Sequence, residues 1–75
     1  MIALTRINQA IFYLNPDLIK FIEENPDTTI ELTNGDRMLV REPAETVINR
    51  IVAYRVRIIH EARDRGQASN SPSQP

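Results

Sequence analysis

The chain has 75 residues, no cysteine and a formal net charge of -1, which bounds it to one small domain without disulfides or a Cys-based zinc site, holding only ~3 to 5 kcal/mol of net stability. Near-neutral charge excludes a global electrostatic pull towards nucleic acid. No run approaches the ~18 apolar residues of a membrane span, and MIALTRINQA lacks the charged start and apolar middle of a signal peptide, so a cytosolic protein is expected.

Met1 to Ile7 alternates as a strand does, and Ala10 to Leu14 forms its return across Ile7-Asn8-Gln9. A loop with one extra residue puts Ile2, Leu4, Phe12 and Leu14 on one face, and Thr5, Ile7, Ile11 and Tyr13 on the other. Asn15-Pro16-Asp17 breaks the ladder, because proline donates no hydrogen bond and Asn-Pro favours a turn. Leu18 to Glu24 reads as a third strand or a short turn leading into one. Its two faces are both half apolar, so periodicity leaves its register open. Asn25-Pro26-Asp27 repeats the turn chemistry before the strongest signal in the chain.

That signal is Thr28 to Val40, TTIELTNGDRMLV, two runs of β-forming residues around Asn34-Gly35. A two-residue loop would pair Leu32 with Arg37 and Ile30 with Leu39, splitting the apolar set between faces. A loop of Asn34, Gly35 and Asp36, with Gly35 in a left-handed bulge position, keeps Ile30, Leu32, Met38 and Val40 together and is the form expected. Glu31 then lies near Arg37 or Arg41 as a cross-strand pair.

After Arg41 the period changes to that of a helix. Pro43 suits a first helical position, with Glu42 before it and Glu45 in the first turn at the positive end of the dipole. From Ala44 to about Ala62, apolar residues recur at 44, 47, 48, 51, 54, 58, 59 and 62. With Val52 and Val56 they cover roughly half the circumference, wider than the ~100° stripe that one sheet requires. The helix also outruns strands of five or six residues. Beyond Gly66, QASNSPSQP is polar and uncharged, so the expected organisation is a domain over 1–66 and a disordered tail over 67–75.

The fold class expected is α+β: a small antiparallel β-meander of four or five strands packed by one long C-terminal amphipathic helix. Ile2, Leu4, Phe12, Leu14, Ile30, Leu32, Met38 and Val40 would receive Val47, Ile48, Ile51, Tyr54 and Ile58. Ile7, Ile11, Tyr13, Phe21 and Leu39 remain on the other sheet face, and Val52, Val56 and Ile59 on the helix. Together with Arg55 these form a candidate interaction surface, for a second copy or another protein. Arg55 lies near the middle of the apolar arc, either snorkelling at the edge of the core or pairing with a carboxylate across an interface. Residues 1–42 carry four basic and seven acidic side chains, residues 43–75 five and three. That asymmetry favours contacts from acidic sheet to basic helix, within or between subunits.

Catalytic parts are missing. The single histidine, His60, falls on the polar side of the helix, and the only glycines are Gly35 and Gly66, so neither an acid–base centre nor a phosphate-cradling loop is formed. Glu23 and Glu24, adjacent on a strand, point to opposite faces. No enzyme activity, cofactor or metal is expected.

The chain resembles the FlbD family of small flagellar proteins, which includes the swarming motility protein SwrD. The resemblance is carried by Ile2, Leu4-Thr5-Arg6, Asn8, Phe12, Leu14-Asn15-Pro16-Asp17-Leu18-Ile19, Ile22-Glu23, Pro26-Asp27-Thr28, Ile30, Leu32-Thr33-Asn34-Gly35, Val40, Glu42, Glu45, Val47-Ile48 and Ile51. It spans residues 1 to 59. It implies a cytoplasmic, non-enzymatic accessory protein supporting motor power or swarming through protein–protein contacts, at the flagellar stator or motor base, without nucleic acid or membrane insertion. Gln9 stands where the family usually has glycine, which costs ~1 kcal/mol if that residue is left-handed. Pro43 stands where a serine cap is common. Two other readings remain open: an RNA-binding regulator, since the first six residues also resemble the carbon storage regulator family, and a generic oligomerising adaptor.

Overall fold

The computed structural model of the protein describes residues 1–70, with side chains as far as residue 63. Strands β1 (Ile2–Thr5) and β2 (Ile11–Leu14) form an antiparallel hairpin, pairing Ile2 with Leu14 and Leu4 with Phe12. A single turn of 3-10 helix, Pro16–Leu18, follows, and Asn15 caps it by accepting from the Asp17 N–H at 3.0 Å. Then β3 (Ile19–Glu24), β4 (Thr28–Leu32) and β5 (Arg37–Val40) build a three-stranded antiparallel sheet in that order. The helix α1 runs from Ala44 to Asn70. The fold is therefore α+β, as the periodicities imply, but its five strands divide into two sheets.

The sheets meet at a corner. Arg6 bridges Val40 antiparallel, and the Arg41 N–H donates to the Thr5 carbonyl at 2.8 Å. The first strand thus adjoins the last, and β2 and β3 are joined through the 3-10 turn instead of by pairing. Around this corner the core gathers Ile2, Leu4, Leu14, Ile30, Leu32, Val40 and Val47, with Phe12, Ile19, Ile22, Met38, Ile51 and Tyr54 packed against it. All eight sheet residues expected inside are in this set. Of the five helix residues expected there, Val47, Ile51 and Tyr54 arrive; Ile48 at 49 % and Ile58 at 43 % exposure do not. The two reasons differ: Ile48 lies about 100° around the helix from Val47, outside the narrow side that the small sheet covers, whereas Ile58 shares the core-facing side but falls in the stretch from Arg55 to Arg63 where every residue is exposed, because the helix outruns the sheet.

The register of β3 resolves the ambiguity in its sequence. Phe21 to Glu24 pair regularly with Glu31 to Thr28, but a bulge between Ile19 and Phe21 shifts the ladder. Ile19 and Ile22, of opposite parity, can then both pack on the core, which strict alternation forbids.

In the β4–β5 hairpin, Ile30 faces Met38 and Glu31 faces Arg37. The inward set is as expected, and so is the left-handed Gly35, at φ +92°. The loop itself sits one residue earlier, at Thr33, Asn34 and Gly35: the Gly35 N–H donates to the Leu32 carbonyl at 2.9 Å and the Leu32 N–H to the Asp36 carbonyl at 2.8 Å. Asn34 Oδ1 accepts from the Asp36 N–H at 2.9 Å, which draws Asp36 into the ladder.

Pro43 stands one residue before the helix, its carbonyl accepting the first helical bond from Val47 at 3.1 Å. The helix passes the boundary at residue 66, and the part of the expected disordered tail over 71–75 lies outside the described residues.

Candidate interaction surface

The outer face of the molecule differs from sheet to sheet. On the three-stranded sheet, Glu31 sits between Arg37 at 2.8 Å and Lys20 at 3.7 Å, the cross-strand pair that the hairpin alternation implies. The Arg37 guanidinium lies 5.8 Å from the centre of the Phe21 ring, a cation over an aromatic face. Phe21 is accordingly half-buried beneath its neighbours. This part of the expected sheet surface is already covered by charge.

The two-stranded hairpin is bare. Ile11 is 66 % and Tyr13 70 % exposed, and Ile7 and Leu39 are also open to solvent. The Arg6–Val40 bridge brings their chain neighbours Ile7 and Leu39 to the same end of the corner. Four of the five expected sheet residues are therefore exposed, Ile11 and Tyr13 on the first hairpin and Ile7 and Leu39 at the corner beside it.

On the helix, Val52, Val56 and Ile59 are exposed, as is Ile48. Arg55 reaches the Asp17 carboxylate of the 3-10 turn at 3.1 Å, both side chains more than half exposed. The ion pair that the sequence reading placed across an interface is instead formed within the chain. It is screened by water and worth little energy, but it ties the helix to the turn.

The stronger tie is one the sequence did not reveal. Glu42 accepts from the Thr5 N–H at 2.9 Å, the Thr5 hydroxyl at 2.8 Å and Arg50 Nη1 at 3.0 Å; Arg50 also donates to the Ala3 carbonyl. Burial pushes the Glu42 carboxyl up, but the bonds from Thr5, from its own N–H and from Arg50 outweigh it and hold the group below its ordinary value. Glu24 is the second unforeseen partner: its Oε1 accepts from the Ala44 N–H at 2.9 Å, so a strand side chain caps the helix that lacks a serine cap. Neither contact had a local signal, because partners 37 and 20 residues apart leave no periodicity. Of these contacts, the asymmetry of charge between the two halves anticipates only the Glu42–Arg50 pair.

Two surface grooves, of about 260 and 230 Å³, flank the helix start and the first strand. Arg50, Tyr54 and Arg57 line one, Glu24, Asp27 and Arg41 the other. Among the described residues no group of three or more His, Asp or Glu side chains is placed to hold a metal ion, and no helix is long and apolar enough to cross a membrane.

The family model FlbD, flagellar and swarming motility proteins, matches residues 1–59. The chain belongs to this family. No curated protein and no solved structure matches it.

Proposed function

We propose that this FlbD-family chain is a non-enzymatic accessory of the flagellar apparatus that supports motor power or swarming by binding another protein. The observation carrying this reading is the family match across all five strands and the helix as far as Ile59, joined to a bare apolar face on the first hairpin. Ile7, Ile11, Tyr13 and Leu39 are the contact residues. Large apolar groups concentrated on one side of a small domain are the form that a protein-docking patch takes, and Tyr13 offers a rigid aromatic anchor at its centre. The partner is a component of the stator or motor base, where an accessory can alter torque without altering filament assembly. The chain acts from the cytoplasm.

The test is genetic and then surface-specific. Deleting the gene should reduce swarming or torque while filaments still assemble, and a copy carrying Tyr13→Asp should fail to restore it although the protein accumulates normally. Unaffected motility in the deletion strain would remove the reading; full rescue by Tyr13→Asp would remove the assigned face.

A further inference from the structure

We propose that the helix stripe of Ile48, Val52, Val56 and Ile59 docks on the same stripe of a second copy of this chain, with the two helices antiparallel. At 3.6 residues per turn the stripe lies about 130° around the helix from Val47, Ile51 and Tyr54, which face the core. It is a separate apolar surface, outside the arc that the sheet covers.

Two observations show that this stripe needs a cover. From Arg55 to Arg63 every residue is exposed, Val56, Ile58 and Ile59 among them. A helical extension with no buried residue, tied to the rest of the chain by the exposed Arg55–Asp17 pair, is marginal in water, so a partner running alongside would stabilise it. The spacing also suits a helix partner. Residues 45, 48, 52, 55, 59 and 62 follow in steps of three and four, the seam of a helix pair.

Charge selects both the partner and the direction. With the pair centred between Val52 and Arg55, Ile48 meets Ile59 of the second copy, Val52 meets Arg55, and Glu45 comes beside Ala62 and Arg63. Opposite charges thus close both ends, and the helix dipoles oppose favourably. A parallel pair would stack Glu45 on Glu45, Arg55 on Arg55 and Arg63 on Arg63, which costs energy at each layer. Arg55 keeps its guanidinium on Asp17, leaving its methylene stem to cover Val52 of the other copy. The stripe is self-complementary in one direction only.

This proposal stands apart from the motility reading, since the Tyr13 face is not used in it. It is tested on the full chain by light scattering over a range of concentrations. The expected result is twice the 8.6 kDa chain mass, falling to 8.6 kDa for Val52→Asp with an unchanged circular dichroism spectrum, while Tyr13→Asp stays dimeric. Because the chain has no cysteine, single-cysteine variants report direction. Ile48→Cys and Ile59→Cys should form a disulfide when oxidised as a mixture, and far more slowly when each is oxidised alone. A monomer at all concentrations, a dimer lost in Tyr13→Asp but kept in Val52→Asp, or rapid cross-linking of Ile59→Cys to itself would each overturn the proposal. So would a monomer that binds vesicles of anionic lipid through this stripe.

Discussion

Two hairpins of the molecule, β1–β2 and then β4–β5, close with the same turn, yet with different residues at its critical position. In the first, the Gln9 N–H donates to the Arg6 carbonyl at 2.9 Å, the Arg6 N–H to the Ala10 carbonyl at 2.8 Å, and Asn8 Oδ1 accepts from the Ala10 N–H at 3.0 Å. Leu32, Asn34, Gly35 and Asp36 repeat the same three bonds in the second. Gly35 lies at φ +92° and Gln9 at φ +79°. Glycine meets that conformation at no steric cost, whereas a residue with a Cβ bears ~1 to 2 kcal/mol there. The turn is therefore defined by its asparagine and its backbone bonds, and the first hairpin tolerates a strained residue because its strands and the corner hold it in place.

The widest test of that comparison is to remove core support from each hairpin in turn. Leu4→Ala and Ile30→Ala both empty a site at 1 % exposure or less, and each should lower stability by ~2 to 5 kcal/mol, measured by denaturant unfolding. The strained first hairpin has less to spare, so Leu4→Ala should also raise amide exchange selectively across Ile2–Leu14.

Next comes the clasp that holds the first hairpin to the rest. Glu42→Gln removes the anionic acceptor of Thr5 and Arg50, and a loss of ~1.5 to 3 kcal/mol is expected, since hydrogen bonds to charged groups are the stronger kind. The carboxyl is depressed in the folded state from an ordinary value of 4.5. Its stabilisation is therefore fully present above that pH and is lost as pH falls through the lower folded value. Wild type should lose stability as the pH falls through that range, and Glu42→Gln should lose less over the same interval.

The turns can then be exchanged. Gly35→Gln should destabilise the chain by ~1 to 2 kcal/mol, and Gln9→Gly should stabilise it by up to ~1 kcal/mol. A Cβ built at Gly35 meets nothing within 4 Å, so the first effect is one of backbone conformation alone. Unchanged melting temperatures in both variants would show that a Cβ at this position carries no cost in either turn. The smallest effect belongs to the outer sheet: Lys20→Ala should change stability by less than ~1 kcal/mol, because its pair with Glu31 is long and exposed.

How much of this was legible in the sequence varies with the range of the interaction. The inward sets of both hairpins followed from alternation and from the extra loop residue, since a period of two leaves only two choices of face. The second loop was placed one residue late because both placements keep the same residues inward, and only the backbone bonds of Leu32 distinguish them. The register of β3 was illegible, as its bulge erases the alternation that would have reported it. On the helix, the breadth of the apolar arc is visible but not which part the sheet takes, which misplaces Ile48; Ile58 is on the correct side but beyond the reach of the short strands. Among the candidate interaction residues, Ile7, Ile11, Tyr13 and Leu39 are exposed, while Phe21 lies beneath Arg37 for reasons of cross-strand geometry. The acidic half and the basic half do meet, at Glu42–Arg50 and Asp17–Arg55. Composition foretold the sign of those contacts and not their addresses.

Glu24 gives the start of the helix an unusual dependence. Helix ends ordinarily fray, so their amide protons exchange with solvent long before the molecule as a whole opens. Here the Ala44 N–H is held by a carboxylate that reaches its position only when β3 is in the sheet. Protection of that amide should rise and fall with the three-stranded sheet, and Glu24→Ala should uncouple it while leaving the middle of the helix protected. The first turn of α1 belongs, in its timing, to the sheet.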